Sequence, residues 1–403
     1  MQGLGPSEGR SRHDGAVIAL ISAAHFLSHF YQLVLPPLLP MMRAELGLSY
    51  AALGSALAVL SAVTALGQTP IGVWADRTGA AVWLVAGNAL MVVGTLCFAA
   101  AEGMVLLLFA AAIAGLGNAT IHPCDYAILS GSIRQERMGR AFSLHTAAGY
   151  AGFAAGPPAM ILLESWLGWR GALTAAALAG APCVVAIALF ARRLRSDRPL
   201  DRARPPAHRV LLSRPILLLF LFMTLIAMGG FGAQTFMVAA LPLLHGVSVA
   251  AAATAMTVWL VGSTCGTLAG GWLADRTARH VAVVSAMMLS AGVLVALLGL
   301  VPLDTFGVVA VAAGAGLALG VVMPSRDLIV RAAAPPGTAG QVFGFVSSGL
   351  PLGQALAPAP LGLLMDLDLP GILFLACGAV LAAAVVTVHA ARAAEHLVPA
   401  SAD

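Results

Sequence analysis

The octapeptide GVWADRTG at residues 72–79 returns almost unchanged as GWLADRTA at 271–278, an offset of 199 residues. A second block, GRAFSLHTAAGYAGFAAGPP at 139–158, aligns with GQVFGFVSSGLPLGQALAPA at 340–359 at an offset of 201. A nearly constant offset across several segments indicates an internal duplication. The sequence therefore predicts two structurally related halves.

The composition places both halves in a membrane. Of the 403 residues, 60% are hydrophobic and only 9% are charged, whereas a soluble domain carries about 25% charged residues. This excludes an ordinary soluble enzyme, a disordered chain and a nucleic-acid binder. The apolar residues form long blocks, and a helix needs roughly 20 of them to cross a bilayer.

Twelve such blocks predict an all-α membrane protein with two six-helix bundles in parallel repeat. The expected organisation is an N-terminal tail (1–15), a first bundle (16–191), an Arg-rich linker (192–214), a second bundle (215–391) and a C-terminal tail (392–403). The predicted spans are 16–40, 51–74, 80–101, 104–130, 139–163, 170–191, 215–243, 250–274, 281–301, 305–330, 339–364 and 369–391.

The arginines predict the orientation. All 21 basic residues are Arg, and 18 of them fall on one side of the predicted spans. Arg43 and Arg170 fall on the other side, and Arg326 lies within a span. This positive-inside bias predicts that both termini are cytoplasmic. The five cysteines lie within spans and show no disulfide or CxxC spacing, so no cofactor is expected.

The repeated octapeptide lies on the loops between spans 2 and 3 and between spans 8 and 9. It resembles the signature loop of the major facilitator superfamily, and the resemblance covers essentially the whole chain. It implies the twelve-helix fold, alternating access, and a cavity lined by spans 1, 4, 7 and 10. Glycine permits close helix approach, and Asp can accept from a helix N-terminus or pair with Arg. The predicted gating residues of these loops are Gly72, Asp76, Arg77, Gly79, Gly271, Asp275 and Arg276.

Both copies depart from the family pattern. Basic residues usually follow the final glycine, where the first copy has Ala80 and Ala81. The second copy has Ala278 in place of that glycine. The two halves of the gate are therefore expected to differ in strength.

Span 5 carries Gly152-x-x-x-Gly156-Pro157, which resembles the antiporter motif of exporters in this superfamily. The alternative is a generic small-residue helix interface. Drug/proton antiporters of the superfamily also carry an Arg in span 4, four residues before a glycine. Here Ala111 precedes Gly115 at that spacing, so that proton-coupling device is missing.

Polar residues inside membrane spans are costly and therefore mark candidate functional sites. One helical face of span 1 carries Ser22, His25, Ser28, His29 and Gln32. A face of span 4, with two residues each in spans 5 and 10 and one each in spans 7 and 11, adds Asn118, His122, Asp125, Tyr126, His145, Tyr150, Gln234, Arg326, Asp327 and Gln354.

Counting along the helices separates these residues by depth. His25 and His29 are expected about 14–20 Å along span 1, near the midplane. His122 and Asp125 are expected about 27–32 Å along span 4, near its cytoplasmic end, with Arg326 and Asp327 at the matching place in span 10. These four are predicted gate residues, paired with Arg77, Arg140 or Arg276. The predicted substrate or proton ligands are His25, His29, Gln32, Asn118, Tyr150, Gln234 and Gln354.

The His25/His29 pair has three interpretations. The two imidazoles could carry protons, bind an anionic or metal-chelating substrate, or form a buried hydrogen-bonded pair. An H-x-x-x-H spacing on a helix also suits a metal ion. Because no third ligand is predicted at the same depth, no metal site is expected.

Three stretches resemble the fosmidomycin-resistance branch of bacterial efflux proteins: AHFLSHFYQLVLPPLLP at 24–40, GLGNATIHP at 115–123, and the span-5 motif. That branch usually has Asn-Asp where this chain has Ser28-His29. The resemblance implies a monomeric secondary transporter of the bacterial inner membrane, not an enzyme, performing proton-coupled efflux of a small organic compound or drug. Two alternatives remain: a proton-coupled importer of a small organic acid that uses Arg326, or a membrane-embedded enzyme or sensor.

Overall fold

A computed structural model describes residues 6–133, 137–194, 210–274, 276–335 and 339–396, and every regular element in these ranges is helical. The α-helices, in chain order, are α1 (Pro6–Gln32), α2 (Leu39–Leu46), α3 (Tyr50–Thr78), α4 (Ala80–Ala99), α5 (Met104–Ser132), α6 (Met138–Phe190), α7 (Arg214–His245), α8 (Val249–Ala274), α9 (His280–Leu300), α10 (Thr305–Ala333), α11 (Ala339–Ser347), α12 (Gly349–Leu356), α13 (Pro358–Asp366) and α14 (Pro370–His396).

Ten helical stretches of the described chain are long and apolar enough to cross a membrane. The twelve predicted spans map onto them with two differences. Spans 5 and 6 run together in α6, which bends at Gly168, where φ is 67° and the conformation is not helical. Span 11 is divided among α11, α12 and α13, each too short to cross by itself. The all-α membrane fold is confirmed.

Two boundaries of the first span also differ from prediction. Helix α1 begins at Pro6, ten residues before the predicted start, so part of the predicted N-terminal tail is helical. The span ends early because Pro36 and Pro37 lack the N–H groups that would continue the helix. A short 3₁₀ turn, Pro36–Leu38, joins α1 to α2.

The described residues form two compact units. Unit 1 contains those of Met1–Leu46 and Val59–Leu200, and unit 2 those of Gly47–Ala58 and Asp201–Asp403. In unit 1, α1 packs along α6 and α4 packs along α5. In unit 2, α8 packs along α10, and α14 packs along both α7 and α9.

Small residues set the closest helix contacts in each unit. In unit 1, a Cβ at Gly117 of α5 would lie 2.6 Å from the Gly87 carbonyl oxygen of α4. In unit 2, a Cβ at Gly262 or Gly270 of α8 would lie 2.6 Å from a carbonyl oxygen of α10. Such backbone approach replaces the hydrophobic driving force that membrane helices lack.

The first turns of α3 belong to unit 2, where an aspartate caps them. The Asp366 carboxylate accepts from the backbone N–H groups of Tyr50 at 2.6 Å and Ala51 at 2.8 Å. These donors would otherwise be unsatisfied at a helix N-terminus, and a negative charge also complements the helix dipole there. A Cβ at Gly362 would lie 2.5 Å from the Tyr50 carbonyl oxygen, so only a glycine allows this contact.

Candidate functional site

A buried polar cluster lies where α1, α5 and α6 meet inside unit 1. Helix α1 supplies His25 and His29, α5 supplies His122 and Asp125, and α6 supplies His145. His25, Asp125 and His145 are buried, whereas His29 and His122 are partly exposed. We call these five residues the histidine cluster.

The Asp125 carboxylate is its centre. Asp125 is 0% exposed. Its Oδ2 atom lies 3.0 Å from His145 Nε2 and 3.5 Å from His25 Nδ1. Its Oδ1 atom has no hydrogen-bond partner among the described residues. Because a buried carboxylate is strongly disfavoured without a compensating positive charge, this arrangement is suited to hold a cation.

The four imidazoles pack closely around one another. The His25 ring stacks on the His145 ring with centroids 3.8 Å apart. It also lies 4.3 Å from the His29 ring and 5.1 Å from the His122 ring. The Nδ1 atoms of His25, His29 and His145 have no hydrogen-bond partner among the described residues. The cluster therefore has spare donor or acceptor atoms that a bound ion or substrate could use.

The glycines of α6 create the space for these rings. A Cβ at Gly149 would lie 2.6 Å from His25 Nε2 and 2.8 Å from His29 Nδ1. One turn later, a Cβ at Gly152 would overlap the Phe26 carbonyl oxygen of α1, and one at Gly156 would lie 3.3 Å from Leu33 Cβ. The motif that resembles an antiporter signature thus holds α6 against the polar face of α1. Its Pro157 is buried within α6.

The predicted difference in depth between His25 and the pair His122 and Asp125 is wrong, because the structure places the three side chains together. Helix α5 runs from Met104 to Ser132, and at 1.5 Å per residue its 29 residues extend about 43 Å. The helix is therefore longer than the roughly 30 Å hydrocarbon core. Counting residues from Met104 places His122 near the cytoplasmic end of the predicted span. In the structure, ten further residues of α5 follow His122.

The predicted ion pairs with arginine also need correction. Among the described residues, Asp125 pairs with imidazoles. Asp327 pairs with its neighbour Arg326, whose Nη2 lies 2.9 Å from Asp327 Oδ1. Arg77 is exposed, and the Arg276 guanidinium lies over the Trp272 ring at 4.1 Å. The side chain of Arg140, the third predicted partner, lies outside the described residues.

The signature loops are seen only in part. A Cβ at Gly72 would lie 3.5 Å from Pro123 of α5, and Gly79 adopts a φ of 98° just before α4. Gly271 has open space around its Cα. The side chain of Asp76 and the whole of Asp275 lie outside the described residues, so their gating role stays a prediction.

The other predicted ligands lie away from the cluster contacts. The Asn118 side chain donates to Thr64 Oγ1 at 3.4 Å, and Thr64 in turn donates to the Gly115 carbonyl at 3.1 Å, which ties α5 to α3. Gln32 and Tyr150 are partly exposed in unit 1. Gln234 and Gln354 are partly exposed in unit 2, on α7 and α12. Their substrate roles stay predictions.

His145 is the residue whose role the sequence analysis missed. It was noted as a polar residue of span 5 but was not assigned to the binding set. Its Nε2 makes the 3.0 Å contact with Asp125 across 20 residues of sequence. The available signal was its position four residues before Gly149, which puts both on the face of α6 that meets α1.

The third metal donor that the sequence analysis did not find is also present. His25, Asp125 and His145 each offer one ligand atom, and these atoms lie within 4.8 Å of one another. All three residues are buried. The spacing would accommodate a metal ion as well as a hydrogen-bonded group.

Duplicated helical halves and a buried polar cluster are features typical of membrane transporters. The family follows from the comparison of sequences. The profile of the Major Facilitator Superfamily matches residues 21–245 and 220–402, so the chain belongs to that superfamily.

Two named relatives and one solved structure show how far the similarity extends. The fosmidomycin resistance protein of Escherichia coli (strain K12) is 25% identical over 374 residues, covering 90% of each chain. The chloramphenicol resistance protein of Streptomyces lividans is 24% identical over 345 residues, covering 82% of this chain and 85% of the relative. A bacterial homologue of the human lysosomal transporter Spinster, crystallised inward-facing and occupied, matches with a TM-score of 0.77 at 18% identity, covering 98% and 97% of the two chains.

Proposed function

We propose that this chain is an exporter that works by alternating access and exchanges a small organic compound for protons. Membership of the Major Facilitator Superfamily supports the transporter class. The observation that carries the proposal is the histidine cluster, a set of ionisable side chains buried within a membrane-spanning bundle. Burying ionisable groups inside a membrane costs free energy, and such groups mark sites that bind the transported substrate or ion.

The cluster suits a polar or charged compound. It combines one carboxylate with several imidazole nitrogens that have no partner in the described chain. The partly exposed rings of His29 and His122 supply the accessible side of the cluster. We propose that His25 and His29 contact the substrate, with Gln32 one turn further along the same face of α1.

Two observations favour export over import. The fosmidomycin and chloramphenicol resistance proteins among the relatives are consistent with removal of a toxic compound. The Gly152 and Gly156 motif, which resembles that of exporters, forms the contact between α6 and α1. The import alternative would use Arg326 as an anion partner, but the Asp327 carboxylate already neutralises that guanidinium.

We propose protons as the driving ion, because the imidazoles of the histidine cluster are groups that can carry protons. The sequence has no G-x-x-x-x-G-K-[ST] loop that would bind a nucleotide, which argues against ATP as the energy source. The arginine distribution supports an orientation with both termini in the cytoplasm of a bacterial cell, in its inner membrane. We propose that the monomer is the transporting species.

Purified protein in proteoliposomes, challenged with a panel of drugs and organic acids under an imposed pH gradient, tests this function. We expect compound-dependent proton movement opposite to the compound. Proton movement in the same direction as the compound would identify an importer. It would favour Arg326 as the residue that binds the anionic substrate. Transport without any proton movement would contradict the coupling, and stable catalysis without flux would favour an enzyme.

A further inference from the structure

We propose that His25, Asp125 and His145 form a binding site for a divalent transition-metal cation of the zinc type. The site would lie entirely within unit 1, inside the helical bundle. The claim that it binds metal stands on the geometry of these three residues. The claim that the ion is cargo, or enters with a chelating cargo, rests on the proposed function.

The separations of the donor atoms are close to those that zinc requires. Zinc binds imidazole nitrogen and carboxylate oxygen at about 2.0–2.2 Å with tetrahedral geometry, which puts neighbouring donors roughly 3.3–3.5 Å apart. Asp125 Oδ2 lies 3.0 Å from His145 Nε2 and 3.5 Å from His25 Nδ1. No separation within the set exceeds 4.8 Å. The His25 and His145 rings are stacked, so one of them would have to rotate for both nitrogens and the carboxylate to fill three positions of a tetrahedron.

The charge balance of the cluster favours a bound cation. Within the described part of the chain, imidazoles are the only side chains that hydrogen-bond or ion-pair with the Asp125 carboxylate. A divalent ion would supply the positive charge that a fully buried carboxylate needs. It would also use the His25 Nδ1 atom, which makes no hydrogen bond in this structure.

The ligand types limit the class of metal. Two imidazoles and one carboxylate suit iron(II), zinc, cobalt, nickel or copper, whereas magnesium and calcium prefer sites built from oxygen ligands alone. Cys183 and Cys124 are not members of the set, so a thiolate site for a softer ion is not indicated.

Three protein ligands leave one coordination position open. Structural zinc sites usually have four protein ligands, whereas a site with an open position can exchange water or substrate. The His122 ring lies 5.1 Å from the His25 ring and is partly exposed, so it is a neighbour of the three ligands on an accessible side. We therefore expect an exchangeable ion rather than one that holds the fold together.

The repeat predicts a single site in each chain. The offset of 201 places Arg326 opposite Asp125 and Val346 opposite His145. Neither residue can ligate a cation in the same way, and the only histidine of α7 is His245, its last residue. Binding should therefore saturate at one metal ion per chain.

The test uses the full-length protein in detergent, titrated with Co²⁺ alone and followed by the visible absorption of four-coordinate cobalt, with Zn²⁺ as a competitor. We expect one Co²⁺ per chain, displaced by Zn²⁺ and removed by a chelator without unfolding. His145→Gln and Asp125→Asn should each weaken binding at least about tenfold, because each removes a ligand. His389→Gln is the matched control, since His389 lies on α14 and contacts Ser285.

Absence of cobalt binding by the unmodified protein would overturn the inference, as would binding that survives both ligand substitutions. If a variant does not fold, thermal unfolding of the unmodified chain with and without Zn²⁺ provides a second test. We expect Zn²⁺ to raise Tm, because a ligand that binds only the folded state stabilises it. An unchanged Tm would overturn the inference. Absence of metal binding by the unmodified protein, together with intact flux of an organic compound, would refute this inference alone. Metal binding without any flux would refute the proposed function alone.

Discussion

Units 1 and 2 share a packing scheme but differ in what they bury. In unit 1, a Cβ at Gly152 of α6 would overlap the Phe26 carbonyl oxygen of α1. In unit 2, a Cβ at Gly353 of α12 would overlap the Thr224 carbonyl oxygen of α7. Gly152 and Gly353 are repeat partners at an offset of 201. The duplication has therefore kept the backbone contact in both units.

The two units differ in the kind of polar side chain that they bury. Unit 1 buries ionisable residues, including His25, Asp125 and His145. In the described part of unit 2, the buried polar side chains are hydroxyls, on Thr224, Thr235, Ser325 and Thr387. Small residues are required wherever backbones touch, but the side chains beside them are free to change. Repeat symmetry thus predicts the scaffold far better than it predicts the chemistry.

The hydroxyls of unit 2 mostly need no partner on another helix. Thr224 donates to the Phe220 carbonyl at 3.0 Å and Thr235 to the Phe231 carbonyl at 2.8 Å, both within α7. Thr387 does the same within α14. The Asp125 carboxylate has no N–H group of its own helix to accept from, so it relies on α1 and α6. Unit 1 therefore depends on tertiary contacts for its polar interior.

The largest expected effect is on transport by Asp125→Asn. The change removes the negative charge that is hydrogen-bonded to His145 and lies 3.5 Å from His25. A hydrogen bond to a charged group contributes about 1.5–3 kcal/mol, so we expect a loss of roughly ten- to a hundredfold in rate. Initial rates of substrate efflux from cells or vesicles measure it. Arg326→Gln at the repeat-related position should have a far smaller effect, because Asp327 is half exposed and can be hydrated. Equal losses in both variants would contradict the asymmetry between the units.

The shared scaffold is tested by Gly152→Ala and Gly353→Ala. Each methyl group would overlap a carbonyl of the neighbouring helix, so each should destabilise its unit by about 2 kcal/mol. Thermal unfolding of the purified protein compares the two. Gly344→Ala is the control, since a Cβ at that glycine would meet open space. A loss at Gly152 without a comparable loss at Gly353 would show that the packing scheme is not shared.

A smaller effect is expected from Asp366→Asn in unit 2. The amide can still accept from one N–H group at the start of α3 but loses the negative charge, which should cost about 1 kcal/mol. The fall in Tm measures it. The control is Asp368→Asn, two residues beyond the cap, which should leave Tm nearly unchanged. Similar shifts in the two variants would argue against a specific cap.

The smallest expected effect is from Thr235→Val in α7. The hydroxyl bonds only to its own helix, so its removal should change stability by about 0.5 kcal/mol. The comparison is Asn118→Leu in unit 1, which breaks a hydrogen bond between α5 and α3 and should lower Tm more. A larger shift for Thr235→Val would mean that unit 2 also depends on polar contacts between helices.

The sequence predicted the class of fold because its signals are local. Membrane insertion depends on the length of apolar blocks, and a duplication is visible as a constant offset, so neither requires knowledge of packing. The same local information predicted the polar face of α1 that carries His25 and His29, but it did not predict that the helix would end before Pro36 and Pro37. It also singled out Gly152 and Gly156, whose spacing places them on one face of a helix.

Only the tertiary structure brought the histidine cluster together. His25, Asp125 and His145 belong to three helices, and their separations in sequence, 100 residues between the first two and 20 between the last two, carry no information about distance in space. Counting residues along α1 and α5 separately assigned His25 and Asp125 different depths, because α5 is longer than the hydrocarbon core is thick. The contact depends on where helices cross, and crossings depend on small residues such as Gly149, which leave room for side chains of the opposite helix.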